Sequence, residues 1–477
     1  MPLDLHHSSQ GIHLMPQLPP PQPTKAQPQS RPLRPLGRLL FATDHPGTRD
    51  SVVSAKNSFN GDEEARYQAR LGVILFPEPY MGHQTLMLHL GNVLYSKGFS
   101  TTIIQTLPNF TFLFIEDALS KSESPPSDPL EIFHALNASC LDPFRVTLSR
   151  ALEYAYEGNK PVACLISDPM WEFASAVADG FNLPRMALRT RGCWLFLFMT
   201  RCHFCAKRAA SLSKVLLQFL RQTGTSSTHV RVNQETQLEE PFPELPSLKV
   251  KDLPLEAQHE LMAKMVKETK SYSQGIICNT FKELEGSILD RVHENFHSVP
   301  IFPVGPLHKH STGDTLAQEP SLISKEQFLE IAWELAESKQ PFLWVVRPKF
   351  VNGSQSLLPE DFLEAVAGRA HIVTWTPQQQ VLANPAIGGG AHDMSDQKMN
   401  DRRTTAVLGI GLLLEKGLER DEIKIAIRRL IVEKEGKEKR ERSAGFRENT
   451  KLCLSVGGSS YENLDQLTKP CSIISQC

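Results

Sequence analysis

The pattern of apolar and polar positions changes character at Leu71. From there LGVILF (71–76) is apolar almost throughout, as in a strand buried on both faces of a parallel sheet. A Pro- and Gly-bearing turn follows. Next comes a helical pattern with Leu86, Leu90, Val93 and Leu94 on one face, closed by Gly98 where a C-cap glycine sits. STTIIQT (100–106) then reads as a second strand. Strand, helix, strand is a βαβ unit, whose crossover is right-handed.

The unit recurs. VACLISD (162–168) predicts a strand, WEFASAVADGF a helix and PRMALRT a strand, and GIICNTFKELE repeats the switch from strand to helix. CWLFLFM (193–199) reads as a buried segment. VPIFPVGPL (299–307) ends a strand in a proline-rich stretch with Gly305, a natural domain junction. Beyond it lie a helix over Lys325–Ser338, the strands PFLWVVR and AHIVTW, and a helix in DEIKIAIRRLIVEKEG with Ile423, Ile427, Leu430 and Ile431 on one stripe. Strands alternating with helices in two blocks predict an α/β protein of two doubly wound domains. The expected divisions are a disordered Pro-rich extension over 1–70, one domain over 71–305 and another over 306–477. The second block has gaps. Between Pro306 and Lys325 the chain is polar without a strand pattern, and from Gly388 no strand or helix signal appears until Ala406, so this domain is expected to lack sheet elements.

Composition narrows the function. Ten of the 34 prolines fall in the first 50 residues, and such a segment buries too little apolar surface to offset its ordering entropy. The formal net charge of −2 argues against a nucleic-acid partner. No apolar run reaches the roughly 18 residues of a membrane helix, so no membrane partner is expected. Nine dispersed cysteines read as reduced thiols and hence a cytoplasmic chain; Cys202 and Cys205 form a CxxC without further zinc ligands, and no metal site is expected. The sequons at Asn109 and Asn137 carry little weight without a secretory signal. A monomer is expected.

Two polar residues stand where open α/β sheets bind ligands, at the carboxyl ends of parallel strands. His83 follows the first strand, and an imidazole titrates near neutrality, as a general base must. Alone, a loop histidine is more often not catalytic. Asp168 ends CLISD; a carboxylate beside a histidine orients the ring and stabilises the imidazolium, although Asp168 would equally suit a cap for the next helix. Gly409 and Gly411 lack the third glycine and the strand of a dinucleotide fingerprint and read as a turn. The run EKEGKEKRER mixes both signs and reads as a solvated helix face.

A family resemblance adds to this. LFPEPYMGHQTLMLHLGNVLYSKGFSTTIIQT, CLISDPMWEFASAVADGFNLPRMALRT, QLEEPFPELPSLKVKDLP, NTFKELE, IFPVGPLHKHS, FLEIAWELAESKQPFLWVVRP, WTPQQQVLANPAIGG and GLERDEIKIAIRRLIVEKEG resemble, in content and in order, the plant family-1 UDP-glycosyltransferases. The likeness runs with gaps from about Leu71 to Leu467 and implies a GT-B fold, two Rossmann-like domains facing a cleft. It implies a small-molecule acceptor on the first domain and a UDP-sugar on the second, the UDP-sugar being a co-substrate, with no cofactor. It implies transfer of glucose or another hexose to a hydroxyl or nitrogen of a small plant metabolite, with inversion and without metal. By motif, His83 is the implied general base, Asp168 its partner and Thr190 a neighbour of the sugar. Trp375 is implied to stack on uracil, Gln378 to meet the ribose, and Asp396 with Gln397 to hold sugar hydroxyls. The residue types suit these roles: a flat indole for a flat base, carboxylate and amide for hydroxyls.

The chain departs from the family in three places. Only GAHDMS separates Gly389 from Asp396, roughly twenty residues short of the helix, turn and strand expected there. His392 lies in the gap without the Trp-Asn-Ser turn that accompanies the family's diphosphate histidine. The strand before Lys325 is missing, and Lys214–Thr236 is extra. Helix N-termini grip diphosphates, and losing such contacts weakens donor and transition-state binding. Two readings follow: a UDP-glycosyltransferase, expected to show little or no activity with the donor side shortened, or a non-catalytic relative that binds small molecules but not UDP-sugar.

Overall fold

The computed structural model describes residues 10–14, 71–105, 113–114, 129–158, 160–190, 192–200, 241–242, 245–249, 263–269, 274–297, 299–310, 325–346, 358–384, 387–393, 402–412, 414 and 420–469. The CxxC, Asn109 and the extra stretch at Lys214–Thr236 lie outside them.

The apolar runs became the strands they predict. After a strand at Gln10–Leu14 (β1) come Gly72–Phe76 (β2), Ser100–Gln105 (β3), Leu113–Phe114 (β4), Val162–Ser167 (β5) and Arg185–Arg189 (β6). A short antiparallel pair, Pro241–Phe242 (β7) and Leu245–Lys249 (β8), precedes Ile276–Cys278 (β9) and Ile301–Pro303 (β10). Seven of these form one sheet in the order β10-β9-β6-β5-β2-β3-β4, every pair parallel. From β2 the chain winds outward to β4, then returns to β5 on the other side and winds outward to β10. The reversal lies between β2 and β5, and a crevice at such a point binds ligands.

Helices cover both faces. Met81–Ser96 (α1) buries Met87, Leu90, Val93 and Leu94 in a cluster with Val73 and Leu75. Pro129–Glu157 (α2) and Ala174–Gly180 (α3) enclose a second cluster around Phe76, Phe144 and Trp171. Asn137 serves α2 structurally: its amide donates to the Phe133 and Met170 carbonyls, and its Oδ1 accepts from the Glu172 N–H. CWLFLFM is the helical stretch 193–199, with every side chain buried beside Met265, Leu289 and Phe296. Cys140, Cys164, Cys193, Cys278 and Cys453 are buried and not joined in disulfides.

The second sheet corrects two expectations. It has four strands, ordered β12-β11-β1-β13, with Phe342–Val345 as β11, Ala370–Val373 as β12 and Gly389–Asp393 as β13. A strand therefore stands where GGGAHD gave no strand signal, followed by a π-helical turn at Arg403–Val407. The missing element is supplied from elsewhere: β1, part of the extension read as disordered, lies antiparallel between β11 and β13. A central gap leaves two rows of backbone N–H and C=O groups without partners, which is costly. QGIHL can fill it because residues 3–15 hold no proline, the residue that cannot donate in a ladder. Behind the sheet, Lys325–Glu337 and Arg420–Ile431 bury Phe328, Leu335, Ile423 and Ile427 around Phe342 and Trp344, with Phe328 stacked on Trp344 at 4.9 Å. The basic run lies in the helix Lys434–Leu454, where Lys434, Lys437 and Glu441 are largely exposed but Lys439 is buried beside Glu435 at 3.3 Å, so the expected solvated face holds for only part of the run.

The chain then returns to the first domain. The helix Ser459–Thr468 places Leu464 and Leu467 in the cluster of Val73 and Leu90, and Ser460 Oγ donates to the Gly305 carbonyl. Gly305 is required there, since a Cβ would lie 2.5 Å from the backbone of Asn279 and Thr280. Glu285, wholly buried, accepts from the N–H groups of Cys193 and Trp194 and pairs with Arg403 of the second domain at 2.8 Å.

Three histidines meet where the short turn after β10 packs against α1. Burial, and then Lys309, His89 and His310, push His308 down to about 4. Burial also lowers His89 and His310, the latter donating from Nε2 to the Val304 carbonyl at 3.1 Å. The folded state therefore holds these rings neutral, whereas the unfolded chain takes up protons below about pH 6.5. Stability should be level above that pH, fall as pH drops toward about 4, and stop falling on this account below it. Urea midpoints across the range check this, and His308→Gln should flatten the slope; an equal slope in both chains would remove His308 as its source.

Candidate active site

Phe76 ends β2, and Pro77–Tyr80 form the turn into α1. The N–H of His83 donates to the Tyr80 carbonyl (2.9 Å), fixing the histidine in the helix's first turn. Asp168 follows β5 directly, and its N–H donates to the Phe76 carbonyl (3.0 Å), tying the two strand ends together. Beneath them Trp171 donates from Nε1 to the Pro77 carbonyl (3.1 Å) and stacks on Phe76 at 4.6 Å. The crevice at the reversal of the sheet thus has a rigid aromatic floor.

The two side chains meet. Nδ1 of His83 lies 2.5 Å from Oδ2 of Asp168, while Oδ1 of Asp168 accepts from the Met170 N–H at 3.0 Å. Asp168 therefore both anchors the following turn and faces the histidine. A carboxylate only accepts, so the hydrogen-bond network assigns the proton to Nδ1. The lone pair then sits on Nε2, as a base directed at a substrate requires. Asp168 is 2% exposed, against 14% for the His83 side chain. Thr190, just after β6, brings its Oγ1 to 3.4 Å from the same Nδ1.

Glu78 was not foreseen. It is 2% exposed and its Oε2 lies 3.4 Å from Nδ1 of His83. Burial, and secondarily Glu78, raise the Tyr80 phenol above its ordinary range. A signal existed in the sequence: FPEPY places one acid inside an otherwise apolar strand-to-helix turn. One donor atom each from Glu78, His83 and Asp168 lie within 4.8 Å of one another, which among the described residues is the arrangement nearest to a metal site. The 2.5 Å separation suits a shared proton. Two donors about 2.0–2.2 Å from one ion stand farther apart.

The other anticipated residues are scattered. Trp375 lies beyond β12, 58% exposed and without a described contact to His83, Asp168 or Thr190. Gln378 opens the helix Gln378–Ala383. Asp396 and Gln397 lie outside the described residues. His392 pairs in register with Gly11 of β1, so the borrowed strand runs beside the stretch where a diphosphate turn was sought.

No family model matches the chain. UDP-glycosyltransferase 76B1 of Arabidopsis thaliana is 35% identical over 458 residues, spanning 83% of this chain and 96% of that protein. UDP-glycosyltransferase 76G1 of Stevia rebaudiana is 36% identical over 472 residues, spanning 85% and 97%. A solved UDP-glucosyltransferase from Polygonum tinctorium, described as capable of glucosylating indoxyl, superposes with a TM-score of 0.64 at 22% identity over 84% of this chain and 98% of that one, which supports the GT-B fold. With 30% identity or more sustained over most of both sequences, and a paired histidine and aspartate at the reversal of the first sheet, the chain belongs to the plant UDP-glycosyltransferases.

Proposed function

We propose that this chain transfers a hexose, glucose first, from a UDP-sugar to a hydroxyl or nitrogen of a small plant metabolite, with His83 as general base. The observation that carries the reading is the 2.5 Å contact between His83 Nδ1 and Asp168 Oδ2 at the point where the sheet reverses. The acceptor proton passes to Nε2 of His83, and Asp168 stabilises the imidazolium that forms. The acceptor atom bonds to the anomeric carbon as the bond from that carbon to the diphosphate breaks. UDP leaves with the bonding pair, and the configuration inverts. Thr190 borders the reacting centre; Trp375, Gln378, Asp396 and Gln397 are the donor residues assigned by motif. UDP-sugar is a co-substrate, and neither a cofactor nor a metal enters the proposed steps.

A second reading, a non-catalytic relative that binds acceptors but no UDP-sugar, is favoured by one observation. Only GAHDMS stands between Gly389 and Asp396, and part of it is occupied as β13 beside β1. The two readings separate in one assay: UDP release from UDP-glucose with a panel of phenols, alcohols and amines, alongside Trp375 fluorescence under UDP titration. The enzyme reading expects acceptor-dependent release, at a rate lowered by the shortened diphosphate grip, and quenching by UDP. No release together with no quenching would overturn it in favour of the second.

A further inference from the structure

Asp168 suffices for the pairing described above, yet a second acid is buried at the same ring nitrogen. Glu78 and Asp168 are each 2% exposed, and they approach Nδ1 of His83 from different elements, at 3.4 and 2.5 Å. Glu78 comes from the β2–α1 turn, Asp168 from the end of β5. Among the described residues the neighbouring titratable or hydroxyl groups include Tyr80, whose ring centroid lies 6.2 Å from that of His83, and Thr190 on the β6 side.

We propose that Glu78 is a positioning residue of the general base: with Asp168 it brackets Nδ1 of His83 and stabilises the imidazolium while the proton leaves the acceptor. The proposal rests on the reading of His83 as the base and names a residue outside the assigned pair. The physical case is charge in a confined place. An imidazole Nδ1 has one hydrogen, and Asp168 at 2.5 Å takes it. Glu78 therefore acts on the ring mainly through its charge, which matters little to the neutral ring and much to the protonated one. A carboxylate within about 4–6 Å favours the charged form of its neighbour by 1–3 pKa units. The consequence is a stronger base, suited to acceptors with weakly acidic protons, aliphatic hydroxyls more than phenols.

The test titrates the histidine itself. In the full chain carrying ¹³C-labelled histidine, the His83 signal is assigned by its loss in His83→Gln and followed from pH 5 to 9. Glu78→Gln should lower the titration midpoint of His83 by about one unit or more. Glu78→Asp, which keeps the charge, should stay much nearer the parent chain. Where transfer is measurable, the acid limb of kcat/KM should move with the midpoint, and rates should fall more for alcohol acceptors than for phenols. An unchanged midpoint in Glu78→Gln would overturn the proposal. So would an equal fall in both variants, which would mark Glu78 as a packing element only; if Glu78→Gln does not fold, a fall of about one unit in Glu78→Asp has the same effect. The midpoint is read without turnover, so a His83→Ala chain that still transfers sugar would overturn the general-base reading and leave the electrostatic result standing.

Discussion

Replacing His83 by alanine should lower kcat/KM for sugar transfer by about 10²–10⁴-fold, the range in which a positioned base contributes. The fold should survive, because the ring is partly open to the crevice and the strand ends are tied by backbone bonds, Asp168 N–H to Phe76 and His83 N–H to Tyr80. The loss should appear in kcat with KM for UDP-sugar little changed, since the imidazole acts on the acceptor proton in the transition state. Asp168→Asn should lose much of the same activity by a different route: an amide NH₂ facing Nδ1 favours the tautomer with its proton on Nε2, where the base must accept. Single-turnover rates with the acceptor identified in the panel check both. A His83→Ala chain within threefold of the parent would place the base elsewhere.

The second large effect concerns stability. Removing residues 1–20 should open the second sheet along its middle. In register β1 is paired at Ile12, His13 and Leu14 with β11, and at every position from Gln10 to Leu14 with β13. At roughly 0.5–1.5 kcal/mol net per hydrogen bond, losing this ladder amounts to several kcal/mol, comparable with the 5–15 kcal/mol that holds a domain together. Hydrogen exchange should accelerate in Phe342–Val345 and Gly389–Asp393 and stay slow in β2 and β5. Ile12→Pro is the point-mutation version: proline has no N–H and cannot sit inside a ladder with partners on both sides. If protection in β11 survived both changes, β1 would be dispensable to the sheet.

These two cases mark where sequence reading succeeds. β2, β5, β6 and α1 are legible because each buries a continuous face, so local periodicity reports tertiary packing. His83 and Asp168 follow from them, because position at a strand end is a property of the strand. β1 is not legible: five residues in a proline-rich tail carry no periodic signal, and their partners belong to the far half of the chain. Nor is β13, where GGGAHD has poor strand propensity and acquires its conformation from pairing with β1. Glu78 lay in plain view as the one acid of the apolar FPEPY turn, but the turn alone does not say which side chain that acid will face. The stretch from Trp375 to Gln397 is legible only as motif ends, since the shortened middle removes the local pattern that would place them.

The return of Ser459–Thr468 onto the first domain has a consequence for how such a chain ages in evolution. The first domain completes its core with Leu464 and Leu467 after the second has been traversed, and Ser460 closes on Gly305, where the chain left. Topologically the stretch between Gly305 and Ser459 is an insertion held between two stretches of its host. Deletions inside an insertion leave the host's ends joined and its core filled, so the first sheet is shielded from losses in its guest. Such modularity lets a lineage keep one folded half while the other is eroded, rebuilt or replaced.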